Sequence, residues 1–151
     1  MQTRPDPAPA KATPEQAWTP TFLAWLIAAT SVLGALFFSE VMKLAPCELC
    51  WWQRIFMFPL ALILPLGLFP FDPRVVRYAL PLALVGWAFA LFHWLLVLGV
   101  IPESIRPCVR GVPCSEVTFE WLGFINIPLL SVLAFSAIIA LLALTHYKAS
   151  K

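Results

Sequence analysis

Six residues in this chain combine types and spacings that do chemistry: Cys47, Cys50, Arg54, His93, Cys108 and Cys114. In Pro46-Cys47-Glu48-Leu49-Cys50-Trp51-Trp52-Gln53-Arg54, two intervening residues let the sulfurs meet in one helical turn. A C-x-x-C thiolate at a helix N-terminus has a lowered pKa, because amide dipoles and any nearby cation stabilise it. Arg54 is that cation. It follows Cys50 by four residues, so in a helix running from Trp51 the two side chains share a face. Cys108 and Cys114 enclose five residues, Gly111 among them, a small ring that a turn can close.

Three chemistries use four cysteines in two pairs. A zinc site needs four ligands; C-x-x-C is the usual half-site, but C-x5-C is a loose second half with no hydrophilic zinc-binding domain around it. Structural staples act by restricting the unfolded chain, and loops this short restrict it little. Thiol and disulfide exchange needs a thiolate attacker and an accessible sulfur. It gives one pair a soluble partner and the other an electron acceptor in lipid, and so accounts for a pair that abuts an apolar helix. An arginine at the top of a span is ordinarily a snorkelling anchor. One turn from a redox cysteine, Arg54 reads instead as part of the site.

The elements that must position these residues are membrane spans. Of 151 residues, 61% are hydrophobic and 12% charged, with a mean hydropathy of +0.85, more apolar surface than a soluble domain of this size hides. The reading is an all-α polytopic membrane protein, a four-transmembrane-helix bundle over residues 21–145. Its spans cover about 21–39, 52–69, 78–101 and 127–145, each long enough as a helix for roughly 30 Å of hydrocarbon. Residues 1–20, with five prolines among Ala, Thr and Gln, form a disordered tail. Residues 146–151 form a second tail. A cleaved signal peptide is disfavoured, because no basic cluster directly precedes the first apolar run and no small-x-small site follows Phe38.

Four spans put both termini on one side, and the basic residues choose it. Arg4, Lys11, Arg74, Arg77, Lys148 and Lys151 stand on the terminal side against Asp6, Glu15 and Asp72, which places both termini in the cytoplasm. Both cysteine pairs then face outward, toward an oxidising compartment in a bacterium. Four cysteines there point to disulfides, with three connectivities formally open. A net charge of +2 gives no reason to invoke nucleic acid.

Within the spans, Thr30, Ser31, Gly34 and Ala35 are small residues that allow close helix approach in lipid. Pro70-Phe71-Asp72-Pro73 is a short turn that makes spans two and three antiparallel neighbours. His93 lies about 12 Å below the end of a third helix that runs to Ile101. An ionisable group at that depth is a functional candidate, although a histidine satisfied by a neighbouring serine or carbonyl is an equal alternative. From Val117 to Phe124, apolar residues alternate with Glu and Thr in a segment suited to the membrane surface. Asn126 caps span four, with Pro128 in its first turn.

Taken together, Cys47-Glu48-Leu49-Cys50-Trp51-Trp52-Gln53-Arg54, His93-Trp94-Leu95-Leu96, Pro113-Cys114-Ser115 and Gly123-Phe124-Ile125-Asn126-Ile127-Pro128-Leu129-Leu130-Ser131 resemble the disulfide-bond formation protein B (DsbB) family, in its short BdbC-like branch. The resemblance covers roughly residues 20–145. It implies a bacterial inner-membrane thiol:quinone oxidoreductase that reoxidises a periplasmic, DsbA-like thioredoxin-fold thiol oxidase. The electrons would pass to ubiquinone or menaquinone. By the same resemblance, Cys50 engages the quinone, Arg54 holds the quinone and the thiolate, and Cys47 is the partner of Cys50. Cys108 is attacked by the reduced partner, Cys114 exchanges with Cys47, and His93 lies near the quinone. The long members differ in two respects: their second-loop cysteines are much farther apart, and they often carry an acid where this chain has Gln53.

Two other functions compete with this one. A vitamin K epoxide reductase-like quinone reductase also uses C-x-x-C with an outer-loop pair, but there the C-x-x-C comes late in the chain. A non-catalytic membrane protein with a four-cysteine metal site would hold stoichiometric zinc.

Overall fold

The computed structural model describes residues 14–101, 120–121 and 125–150. The four apolar runs form four helices: α1 (Pro14–Leu36), extended by a π-helical turn at Phe37–Val41, α2 (Glu48–Leu68), α3 (Val76–Val97) and α4 (Ile127–Ala149). The fold is an all-α bundle. Beside the helices, the described residues form a two-residue antiparallel pair, β1 (Glu120–Trp121) with β2 (Ile125–Asn126), and a single bridge between Leu68 and Phe71. α1 packs on α2 and α4, and α3 packs on the same two. All four helices are long and apolar enough to cross a membrane; the shortest, Glu48–Leu68, has 21 residues, about 31 Å of helix.

The helix ends depart from the apolar runs for local reasons. α1 starts at Pro14, so residues 14–20 are helical rather than part of an extended tail. Pro14 takes the first helical position, where its missing N–H costs nothing. Ala17 is buried, and Trp18 stacks on Phe22 with ring centroids 5.0 Å apart. α2 starts at Glu48, four residues before the apolar run, because Cys47 is its N-cap: the sulfur accepts the Cys50 N–H. α3 stops at Val97, not Ile101. Gly99 adopts φ +74°, and Gly99 N–H and Val100 N–H return to Leu96 and Leu95 carbonyls, a Schellman end that only glycine accommodates without strain. His93 therefore lies four residues from the end of its helix, about 6 Å deep, half the depth expected from the apolar run.

Helix contacts are made by small residues. Ala24, Ala28, Ala79 and Ala83 are fully buried beside Leu60, Leu64, Ile138 and Leu142, while Leu66 on the outside is 75% exposed, as suits a lipid-facing position. Polar cross-links hold the end away from the cysteines: the Thr21 and Thr145 hydroxyls pair at 3.0 Å in full burial. Trp25 Nε1 donates to the Ala61 carbonyl. There the chain reverses as expected, with Asp72 N–H on the Gly67 carbonyl and Asp72 Oδ1 accepting Arg74 N–H. At the other end Asn126 Oδ1 accepts Leu129 N–H, so Asn126 caps α4 as its sequence position predicts.

Candidate functional site

The C-x-x-C stretch opens α2 in one turn. Cys47 and Cys50 are free thiols with sulfurs 2.9 Å apart. Cys47 Sγ takes the place of an N-cap oxygen and accepts Cys50 N–H at 3.4 Å. On its other side lies His93 Nε2 from α3, at 3.8 Å. The second nitrogen of that ring, Nδ1, is 3.0 Å from Gln53 Nε2. Cys47, Gln53 and His93 are all buried, so this row of polar groups is enclosed by the helices that carry it. The Cys47 thiol is pulled down to about 4. The hydrogen bond from the Cys50 thiol is the main cause; burial opposes it, and His93 and the Cys50 N–H add to it.

This arrangement moves the helix-terminal sulfur from Cys50 to Cys47. With the helix starting at Glu48, Cys47 meets the first free amides. Arg54 does not cap either thiol. Its Nη2 donates to the Ala35 carbonyl at 2.8 Å and its Nη1 to Ser39 Oγ at 3.3 Å, and the guanidinium lies 5.5 Å from the centre of the Trp51 ring. Arg54 thus ties α2 to the π-helical end of α1, a local irregularity of the kind that recurs at functional sites.

Cys50 and Arg54 share the wall of a cavity of about 420 Å³, to which all four helices contribute and whose lining is mostly apolar. Thr30, Ser31, Gly34 and Ala35 line it. Their small side chains leave this space instead of drawing helices together, as the sequence alone had implied; a Cβ on Gly34 would meet nothing within 4 Å. The inner end is closed by Phe135, fully buried and seated on Gly86, where a Cβ would overlap its ring. A cavity of this size and lining, with few polar groups in its wall, is what a small aromatic ligand requires. Its residues fit a quinone ring: Cys50 offers a sulfur, and Arg54 offers charged hydrogen-bond donors in a wall that is otherwise mostly apolar.

Of the six residues selected from sequence, four come together here: Cys47, Cys50, Arg54 and His93 all line the cavity. Cys108 and Cys114 lie outside the described residues, as does most of the surface segment Val117–Phe124. In the sequence Gln53 stands out only as a departure from the long members of the family. Its signal was available, because Cys47, Cys50 and Gln53 recur every three residues and Gln53 is a polar side chain inside an apolar span. Cys47 Sγ, Cys50 Sγ and a His93 ring nitrogen lie within 4.8 Å of one another.

No solved structure matches this chain. Disulfide bond formation protein C of Bacillus subtilis (strain 168) is 46% identical over 123 residues, 82% of this chain and 89% of that protein. Two relatives named "Probable disulfide formation protein" are also similar. That of Metapseudomonas resinovorans is 47% identical over 126 residues, 83% of this chain and 88% of its own. That of Deinococcus radiodurans is 42% identical over 134 residues, 83% of this chain and 87% of its own. The family model for disulfide bond formation protein DsbB matches residues 17–145, from the first buried alanine of α1 to the Thr145 that pairs with Thr21. The bundle, its C-x-x-C helix start and the cavity beside it are therefore those of a member of the DsbB family, to which this chain belongs.

Proposed function

We propose that this protein is a membrane thiol:quinone oxidoreductase that makes disulfides. It takes electrons from a reduced, DsbA-like thioredoxin-fold thiol oxidase and delivers them to ubiquinone or menaquinone in the bacterial inner membrane. The observation that carries the reading is the C-x-x-C dithiol opening into an apolar cavity inside the bundle, with Arg54 in the same wall. The names of the relatives, all disulfide formation proteins, support it. In this reading both termini are cytoplasmic, in keeping with the basic residues on that side. Both cysteine pairs then face the periplasm.

The partner's thiolate attacks Cys108, opening a Cys108–Cys114 disulfide. Cys114 then attacks Cys47 of a Cys47–Cys50 disulfide and releases Cys50; the partner's second thiol displaces Cys108 and the partner leaves oxidised, and Cys108 resolves the Cys114–Cys47 bond, so that Cys47 and Cys50 become the reduced pair. A bound quinone supplies a two-electron, two-proton acceptor. Cys50, in the cavity wall, would be the sulfur that faces it, and Cys47 would supply the second atom of the new Cys47–Cys50 bond. Gln53 Nε2 donating to His93 Nδ1 fixes the proton on Nε2, which points at Cys47 and stabilises its thiolate. Across 2.9 Å the Cys50 thiol donates to the Cys47 thiolate, so the reduced pair holds a single proton, which would leave with the electrons as the Cys47–Cys50 bond forms. Arg54 is held by Ala35 and Ser39, so its remaining N–H groups would be available to a quinone oxygen without reorganising.

The test is quinone absorbance during oxidation of a reduced thioredoxin-fold partner by purified protein, with ubiquinone and menaquinone in turn. Wild type turns over. Cys50→Ser loses at least about 1,000-fold, as removal of a nucleophile does. Turnover at the wild-type rate by Cys47→Ser and Cys50→Ser would rule the proposal out.

A further inference from the structure

We propose that the reduced Cys47–Cys50 pair and His93 form a redox-gated site for a thiophilic d10 cation such as Zn²⁺, with two thiolates and one imidazole nitrogen as ligands. The three donors come from the N-cap of α2, its first turn and the facing turn of α3, and lie within 4.8 Å of one another. With Zn–S near 2.3 Å and Zn–N near 2.0 Å, a tetrahedral site has S···N edges of about 3.6 Å and S···S edges of about 3.8 Å. Cys47 Sγ and His93 Nε2 already stand 3.8 Å apart. The sulfurs, at 2.9 Å, must separate, and Cys50 Sγ, within 4.8 Å of the ring nitrogen, completes the set. Two thiolates repel along that line, and half-buried Cys50 has the cavity beside it into which to turn.

Two further features suit a metal site. Gln53 holds the far nitrogen of the ring at 3.0 Å. With its amide turned over, Oε1 accepts Nδ1–H and leaves the Nε2 lone pair directed at the sulfurs, as the outer partner of a metal-bound histidine does. Charge is the second feature. A dication with two thiolates is neutral, which suits a pocket where Cys47 and His93 are 8% and 3% exposed. The fourth position faces the cavity, and Arg54 is far enough engaged with α1 to leave it open.

The site exists only in the dithiol. Forming the Cys47–Cys50 bond removes two electrons and both thiolate ligands, and the cation leaves unchanged as M²⁺. Cation and disulfide therefore exclude each other, so the cation inhibits reoxidation of this pair. Inhibition rests on the proposed function, but binding does not.

The experiment titrates full-length protein in detergent, anaerobically, with Cd²⁺ read by its thiolate charge-transfer absorbance and with Zn²⁺ read by X-ray absorption. Reduced protein is expected to bind one equivalent with two sulfurs and one imidazole in the metal shell, and oxidised protein none. His93→Ala should weaken binding at least tenfold, and Gln53→Leu about tenfold. A four-sulfur shell, equal binding by oxidised protein, or no stoichiometric binding to reduced wild type would overturn the proposal. The wild-type shell is decisive even where His93→Ala folds poorly. Binding without quinone reduction would count against the redox reading alone, and quinone reduction without binding against this site alone.

Discussion

At the end of the bundle away from the cysteines, Gly67 lies so close to Val75 that a Cβ would stand 2.5 Å from its side chain; at the cysteine end, Gly34 faces open space. Both glycines sit in apolar helices, and only Gly34 is read from sequence as a packing position. What separates them is what the opposing helix brings. Beyond Gly67 come alanine and leucine in full burial and a turn folded onto the helix. Opposite Gly34 stand Cys50, Gln53 and Arg54, whose polar ends are held by partners at their own edges and leave a void between them. Small residues in a membrane bundle thus serve two opposite purposes, close contact and room for a ligand.

The largest effect expected on this contrast is at its polar wall. Arg54→Ala removes charge-assisted hydrogen bonds worth about 1.5–3 kcal/mol, and quinone KM should rise about 10- to 100-fold while partner oxidation at saturating quinone falls less. Gly34→Leu fills the cavity and should raise quinone KM with thermal stability unchanged within about 0.5 kcal/mol. Gly67→Ala should do the reverse, costing about 1–3 kcal/mol by overpacking and leaving KM alone. If both substitutions change stability and neither changes KM, the two ends are not functionally distinct.

A pH titration sharpens the picture at Cys47. Its folded pKa is lowered to about 4, so the thiolate is present above that value and is lost as pH falls through it. In reduced Cys108→Ala/Cys114→Ala protein, the ultraviolet thiolate absorbance should persist to about pH 5, fall to half near pH 4 and vanish below about pH 3; with His93→Ala the loss should move upward. The smallest effect belongs to the packed end. Thr145→Val removes the buried hydroxyl pair with Thr21 and should cost about 0.6 kcal/mol, typical of such bonds in a membrane.

Much of this was legible in the chain. The four spans follow from runs of apolar residues that nothing but lipid or a large core accommodates. The Cys47 to Arg54 stretch announces itself because thiols and an arginine are out of place among tryptophans. What stayed hidden depends on two helices at once. Gln53 and His93 are forty residues apart, and only the packing of α2 on α3 makes one the partner of the other. Arg54 shares a helical register with Cys50, yet the carbonyl of Ala35, on a different helix, captures it. Gly99 ended α3 early through its own φ, a backbone signal that an apolar run to Ile101 conceals.

The central claim is that Cys47 and Cys50 hand electrons to a quinone in the adjoining cavity. It is tested most directly in a single turnover: fully reduced Cys108→Ala/Cys114→Ala protein, mixed anaerobically with one equivalent of quinone, with quinol and remaining thiols counted. The account predicts one quinol formed and two thiols lost per chain. Quinone left oxidised, with all thiols still titratable, would contradict it.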